Sequence, residues 1–173
     1  LSASSAGLVW ALIEWRKFGR VSMVGLVTGI VAGLATVTPA SGFISPLSGA
    51  LLGAVGSFVC YFVVEAVRHR LKIDDSLDVF AVHGIGGIVG TLLVAVLAHP
   101  ALGGVGYAQG VQMGTQALTQ IIGVASVCAW SGLVTLALVW IVRKTVGLRV
   151  NDETAEDGLD MAVHGEKAYR SFN

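Results

Sequence analysis

The feature that most constrains this chain is the way its basic residues are sorted between long apolar runs. Five apolar segments can be read, from about Ala6 to Ile13, Val21 to Val37, Leu47 to Val67, Asp75 to Ala98 and Thr115 to Val142. Arg16-Lys17-Phe18-Gly19-Arg20 joins the first to the second, Arg68-His69-Arg70-Leu71-Lys72 joins the third to the fourth, and Arg143, Lys144 and Arg149 follow the fifth. The other two connections, Ala40 to Pro46 and His99 to Gly114, contain no Lys or Arg. A soluble helical core has no reason to restrict its basic residues to every second connection. A chain that crosses a bilayer repeatedly does, because Lys and Arg concentrate on the cytoplasmic side. On that rule the first segment runs inward, the next three alternate, and the C-terminus lies in the cytoplasm of a multi-pass protein of the cell membrane.

Length and composition agree. Charged residues make up 13% of the chain and apolar residues 54%, about half the charge of an ordinary soluble domain, so much of the surface must face lipid. A crossing needs about 20 residues. The first segment is too short, the second crosses if it extends through Thr38, and the last three are long enough. Breaks are expected at Glu14-Trp15-Arg16-Lys17, Pro39, Arg68-His69-Arg70, Pro100 and Arg143-Lys144. The chain opens on Leu1 inside an apolar stretch, without a charged leader, and reads as cut at its start, with no signal peptide. Two parts follow: residues 1–146 as a transmembrane helical domain and 147–173 as a cytoplasmic tail that holds Asp152, Glu153, Glu156, Asp157, Asp160 and Glu166.

Glycine is abundant, at 23 of 173 residues, and recurs every fourth position at Gly25, Gly29 and Gly33, at Gly49 and Gly53, and at Gly86 and Gly90. Such spacing lets helix backbones approach closely in a bilayer. Cys60 and Cys128 lie inside apolar runs and read as small hydrophobes, with neither disulfide nor metal-ligand spacing. No metal or cofactor is expected. There is no basic–aromatic patch for nucleic acid. No nucleophile has an adjacent base and no carboxylates are paired in a cleft, which argues against an enzyme. The glycines from Gly84 to Gly90 superficially suggest a dinucleotide loop, but they lie within one apolar helix and lack the preceding strand.

His83 is the one histidine inside a spanning segment; His69 sits in a basic loop, His99 at a helix end and His164 in the tail. Ionisable groups within the bilayer are rare and usually face a cavity or a pathway. The alternative is a packing histidine bonded to a neighbouring helix. Helical spacing lines up Val79, His83, Gly86 or Gly87, and Gly90 on one face. Asp75, with Asp78 three residues on, fits a helix start like a capping box with an acid at its third position, and an acid there could also draw cations to the cytoplasmic mouth. Thr38, held out of the helix by Pro39, either bonds a freed carbonyl or faces the lumen.

The run Asp74-Asp75-Ser76-Leu77-Asp78-Val79-Phe80-Ala81-Val82-His83-Gly84-Ile85-Gly86-Gly87-Ile88-Val89-Gly90 resembles the signature of the Amt/Mep/Rh ammonium transporter family. Gly33-Leu34-Ala35-Thr36-Val37-Thr38-Pro39-Ala40-Ser41-Gly42-Phe43 is similar to its threonine–proline helix end, Thr145-Val146-Gly147-Leu148-Arg149-Val150 to the exit of its last helix, and Gly158-Leu159-Asp160, His164-Gly165-Glu166 and Ala168-Tyr169 to its C-terminal tail. The matches run in order from about Glu14 to Tyr169, and the tail favours the Amt branch. The resemblance implies an all-α integral membrane fold of eleven helices, of which this chain carries the last part of helix 7 and helices 8 to 11. It implies a homotrimer with one pore per subunit, conducting ammonia or ammonium. His83 matches the second of two pore histidines, and Val79, Val31 and Thr38 match pore-lining positions. Asp75 matches an acid at that helix start, with Asp78 beside it. Gly158, Asp160, His164, Glu166 and Tyr169 match a tail that contacts neighbouring subunits and couples to a PII-type regulator. The first pore histidine, the aromatic gate and the outer recruiting site have no counterpart in this sequence, so a fragment of a longer product is expected. A membrane ammonium sensor signalling through the tail is the other reading.

Overall fold

The computed structural model describes residues 1–166; Tyr169 lies outside them. All regular elements among the described residues are helical. They are α1 (Ser2–Phe18), α2 (Met23–Val37) with a 3₁₀ turn at Thr38–Ala40, α3 (Pro46–Glu65) continuing into a π-helical turn at Ala66–Arg70, a second π turn at Phe80–Ile85 leading into α4 (Gly86–Leu97), a 3₁₀ turn at Pro100–Leu102, α5 (Met113–Thr145), α6 (Asp152–Asp157) and a π turn at Asp160–His164. Four stretches are long and apolar enough to cross a membrane: Met23–Ala40, Pro46–Arg70, Phe80–Leu97 and Met113–Thr145. Contacts divide the chain into a first unit, Leu1–Ser126, and a second, Val127–Asn173, so the division falls inside α5.

Two boundaries differ from the hydropathy reading. α1 runs through Glu14-Trp15-Arg16-Lys17 and stops at Gly19, which takes a left-handed φ of 69° and donates its N–H to Trp15 O. Charge ends the apolar run but not the helix, because Arg16 and Lys17 in the last turn suit the negative end of the helix dipole. The fourth helix begins five residues later than expected, at Phe80. Asp78 sits at φ 55°, a left-handed conformation that no helix can include.

In the first unit α1 and α3 run in the same direction with α2 antiparallel to both. The contacts follow the small residues. Ser2 Oγ donates to Gly33 O at 2.8 Å, Ser5 Oγ to Ala50 O at 2.7 Å and Ser57 Oγ to Ala6 O at 2.7 Å, hydroxyl-to-carbonyl bonds between helices that replace the hydrophobic drive lost in lipid. Of the spaced glycines, Gly25, Gly29, Gly33, Gly53, Gly86 and Gly90 lie at close helix contacts, whereas Gly49 meets only Ile44, at 4.0 Å. The tightest crossing centres on Thr36, which is fully buried and bonds Ala32 O at 2.7 Å. Gly56 of α3 and Gly86 and Gly90 of α4 all face it, and a Cβ on Gly90 would stand 1.9 Å from Thr36 O. Above and below lie two apolar clusters, one around Trp10, Cys60, Tyr61 and Val82, the other around Ala40, Leu52, Val94 and Leu97.

The connections meet in two groups. Glu14 of α1 bonds Ser22 before α2, Lys17 of α1 pairs with Glu65 of α3, and Arg68 pairs with Asp78 before α4. The basic connections thus share one end. At the other end Val105 N donates to Phe43 O at 3.1 Å, and Ser45 and Ser48 hydroxyls donate to Leu102 O at 2.9 and 3.2 Å.

In the second unit α5 ends on Arg143 and Lys144, with Lys144 Nζ 4.3 Å from the centroid of the Trp140 ring. Asn151 caps α6 by accepting the Thr154 N–H at 2.8 Å.

Candidate functional site

The helix start that carries His83 is built by two acids with different tasks. Asp75 accepts the N–H groups of Val79 and Phe80 through its two carboxylate oxygens, at 2.8 and 2.9 Å. It satisfies donors that the first turn leaves open, reaching four and five residues ahead. Asp78 does not return the cap to Asp75, as a capping box would. Its carboxylate takes a two-pronged bond from Arg68, Nε at 2.9 Å and Nη2 at 2.6 Å. Asp78 is 6% exposed. Burial lifts its carboxyl above the ordinary carboxylate value, and Arg68 pulls in the opposite direction. The left-handed Asp78 and the anchored Asp75 fix where the helix begins.

From there the chain winds as a π turn over Phe80–Ile85 before tightening at Gly86. A π turn holds more residues per revolution than an α turn, so it changes which side chains share a face. Val79, His83 and Gly84 are exposed, and nothing lies within 4 Å of a Cβ built on Gly87. Ala81, Val82, Gly86 and Gly90 are buried. The expected face of Val79, His83, a glycine and Gly90 is therefore split: Gly87 keeps to the side of His83, and Gly90 turns inward against Thr36. His83 stands open on the chain's surface and is not packed against α2 or α3.

The other residues singled out by sequence are dispersed. Thr38 is exposed and donates its hydroxyl to Leu34 O at 2.7 Å. Val31 is half-buried and packs against the cluster of Trp10, Cys60 and Val82. Both belong to the helix that packs on the π turn and on α4. In the second unit Gly158 follows α6 at φ 87°, Asp160 and His164 bound the last π turn, and Glu166 N–H donates to Asp160 O at 3.0 Å. Among the described residues no group of three or more His, Cys, Asp or Glu could hold a metal ion. Sequence reasoning missed Thr36, Gly56 and the Arg68–Asp78 pair. Thr36 lies three residues after Gly33, on the helix face that carries Gly25, Gly29 and Gly33, which was the available signal; the pair joins residues ten apart across an irregular loop and left none.

A chain of apolar helices with one open histidine on a distorted helix start can be compared with known proteins. The family model described as Ammonium Transporter Family matches residues 1–169. An ammonium transporter of Aquifex aeolicus is 41% identical over 171 residues, covering 98% of this chain and 40% of the relative. Ammonium transporter Amt1 of Archaeoglobus fulgidus is 44% identical over 170 residues, covering 97% and 42%. Among solved structures, one described as a sensor Amt protein superposes with a TM-score of 0.84 at 30% identity, over 94% of this chain and 39% of that one. Candida albicans Mep2 gives 0.75 at 31%, over 88% and 35%. The chain spans about two fifths of the length of the relatives it matches. Its all-α fold is that of these multi-pass membrane proteins, and the chain belongs to the Ammonium Transporter Family.

Proposed function

We propose that this chain contributes the C-terminal portion of an ammonium transporter, in which His83 faces the path of ammonia. The observation that carries this reading is the open imidazole on a π turn, between exposed Val79 and the open Cβ position of Gly87, in a chain of this family. Buried packing histidines are enclosed and bonded; this one is neither enclosed nor covered. An apolar wall of this kind favours a neutral species, because moving a bare ion out of water costs several kcal/mol or more. A neutral imidazole offers both a donor and an acceptor. It can guide ammonia by hydrogen bonds or pass a proton along. Val79, Thr38 and Val31 line the same path in this reading, and Asp75 sits at its inner mouth. The basic end faces the cytoplasm, three subunits assemble with one pore each, and the tail residues Gly158, Asp160, His164, Glu166 and Tyr169 contact neighbouring subunits and a PII-type regulator.

The test is ammonium-evoked current in proteoliposomes that hold the longest natural reading frame containing these residues, with and without His83→Leu. A current that the substitution abolishes or makes less selective supports the reading. Unchanged transport in His83→Leu would remove His83 from the path. The second reading, a membrane ammonium sensor signalling through the tail, is favoured by the likeness to the solved sensor Amt protein. In that case ammonium binds without current, and a pH-sensitive dye inside the vesicles detects no electroneutral ammonia entry.

A further inference from the structure

In an uninterrupted α-helix, residues seven apart point within about 20° of each other. His83 and Gly90 are seven apart. Gly90 faces α2 so closely that a Cβ there would stand 1.9 Å from Thr36 O. A plain α-helix would therefore aim His83 into the bundle, along the line of Gly90. Instead His83 is exposed, and Ala81 and Val82 are the buried residues of its turn. The π turn at Phe80–Ile85 makes the difference. It takes in one residue more per hydrogen-bonded turn than an α-helix, so the residues before Gly86 swing away from the face of Gly90.

A π turn is a rare conformation, and this one lies between two anchors. After it, Gly86 and Gly90 seat α4 closely against Thr36. Before it, the helix opens on Asp78, whose carbonyl accepts the Val82 N–H at 2.8 Å. Asp78 is left-handed, at φ 55°, a conformation disfavoured for a residue with a Cβ. Asp75 does not impose it, because its carboxylate holds the N–H groups of Val79 and Phe80, on the helix side of Asp78. The grip on Asp78 itself comes from Arg68, through the bonds of Nε and Nη2. Two parallel bonds of this kind fix direction as well as distance. Arg68 lies on the turn that ends α3, and α3 packs against the His83 turn. The helix start is thus tied to a second, independently seated helix.

We propose that Arg68 is a positioning residue for His83. By holding Asp78 left-handed it keeps the π turn wound, and the π turn keeps the imidazole on the open face. Without Arg68, Asp78 returns to the right-handed region and the turn tightens to an α-helix. With α4 seated on Thr36, the residue that then rotates toward α2 is His83. The consequence for ammonium flux rests on the transport reading; the register of the turn does not.

The test is Arg68→Gln in the longest natural reading frame, read in two ways: a crystal structure for the turn, and ammonium flux per folded molecule in proteoliposomes. Expected are an α turn at Phe80–Ile85 with His83 rotated toward α2, and flux lower by about tenfold or more. A merely structural role would lower the yield or the melting temperature and leave flux per folded molecule unaltered. A retained π turn with His83 open, or unaltered flux beside a parent that conducts, overturns the proposal. Should Arg68→Gln fail to fold, Asp78→Ala decides by the same two readouts. It buries no unpaired charge, leaves the half-exposed Arg68 free to meet water, and disfavours the left-handed start. A parent without flux counts against the transport reading alone, and the structure of the turn then decides whether Arg68 sets His83.

Discussion

At the scale of single residues, the helix start of His83 is where sequence and structure part most usefully. The pattern Asp75…Asp78 was legible as a helix beginning, and Asp75 does cap. That Asp78 would turn left-handed and face Arg68 was not legible, because the loop carrying Arg68 has no period to read. Asp75→Ala should cost about 0.5–2 kcal/mol and fray the π turn, while Asp75→Asn retains part of the cap; thermal unfolding in detergent measures both. Asp78 bears a sign that can be worked out. Its folded carboxyl titrates above the ordinary 3.8, so its contribution is fullest where the acid is protonated, below that value, and is lost as pH rises through the raised one. Arg68 limits the loss by favouring the charged form. Arg68→Gln should therefore make stability fall more steeply than in the parent as pH rises above the ordinary carboxylate value, and a pH series of melting temperatures would reveal it.

At the scale of elements, the apolar segments and the breaks at Pro39 and Pro100 were readable from hydropathy, whereas the face each helix presents was not. Gly86, Gly87 and Gly90 look alike in sequence, yet the π turn sends Gly87 outward and the other two toward Thr36. Two substitutions separate them. Gly90→Ala forces a methyl into the Thr36 carbonyl and should destabilise the bundle by about 1–3 kcal/mol or more. Gly87→Ala meets no atom within 4 Å and should leave the melting temperature within about a degree or two, since surface changes away from special features stay near ±0.5 kcal/mol. Any loss of ammonium flux in Gly87→Ala then reports on the His83 face itself.

At the scale of the whole chain, the alternation of basic connections was legible before any coordinates, and the structure gathers the first two of them at one end of the first unit. The two ends are held differently. One relies on charged groups, with Lys17 exposed and Glu65 partly so; the other relies on neutral hydrogen bonds from Ser45, Ser48 and Val105. Mobile ions screen exposed charge pairs over about 8 Å at physiological salt and over about 3 Å at 1 M, but they leave neutral bonds alone. Amide exchange should accordingly quicken with added salt around Phe18 and Glu65 and hold steady around Phe43 and Leu102. The uneven placement of charge in the first unit thus also gives it a softer rim at one end, one whose compliance follows the ionic strength of the solution around it.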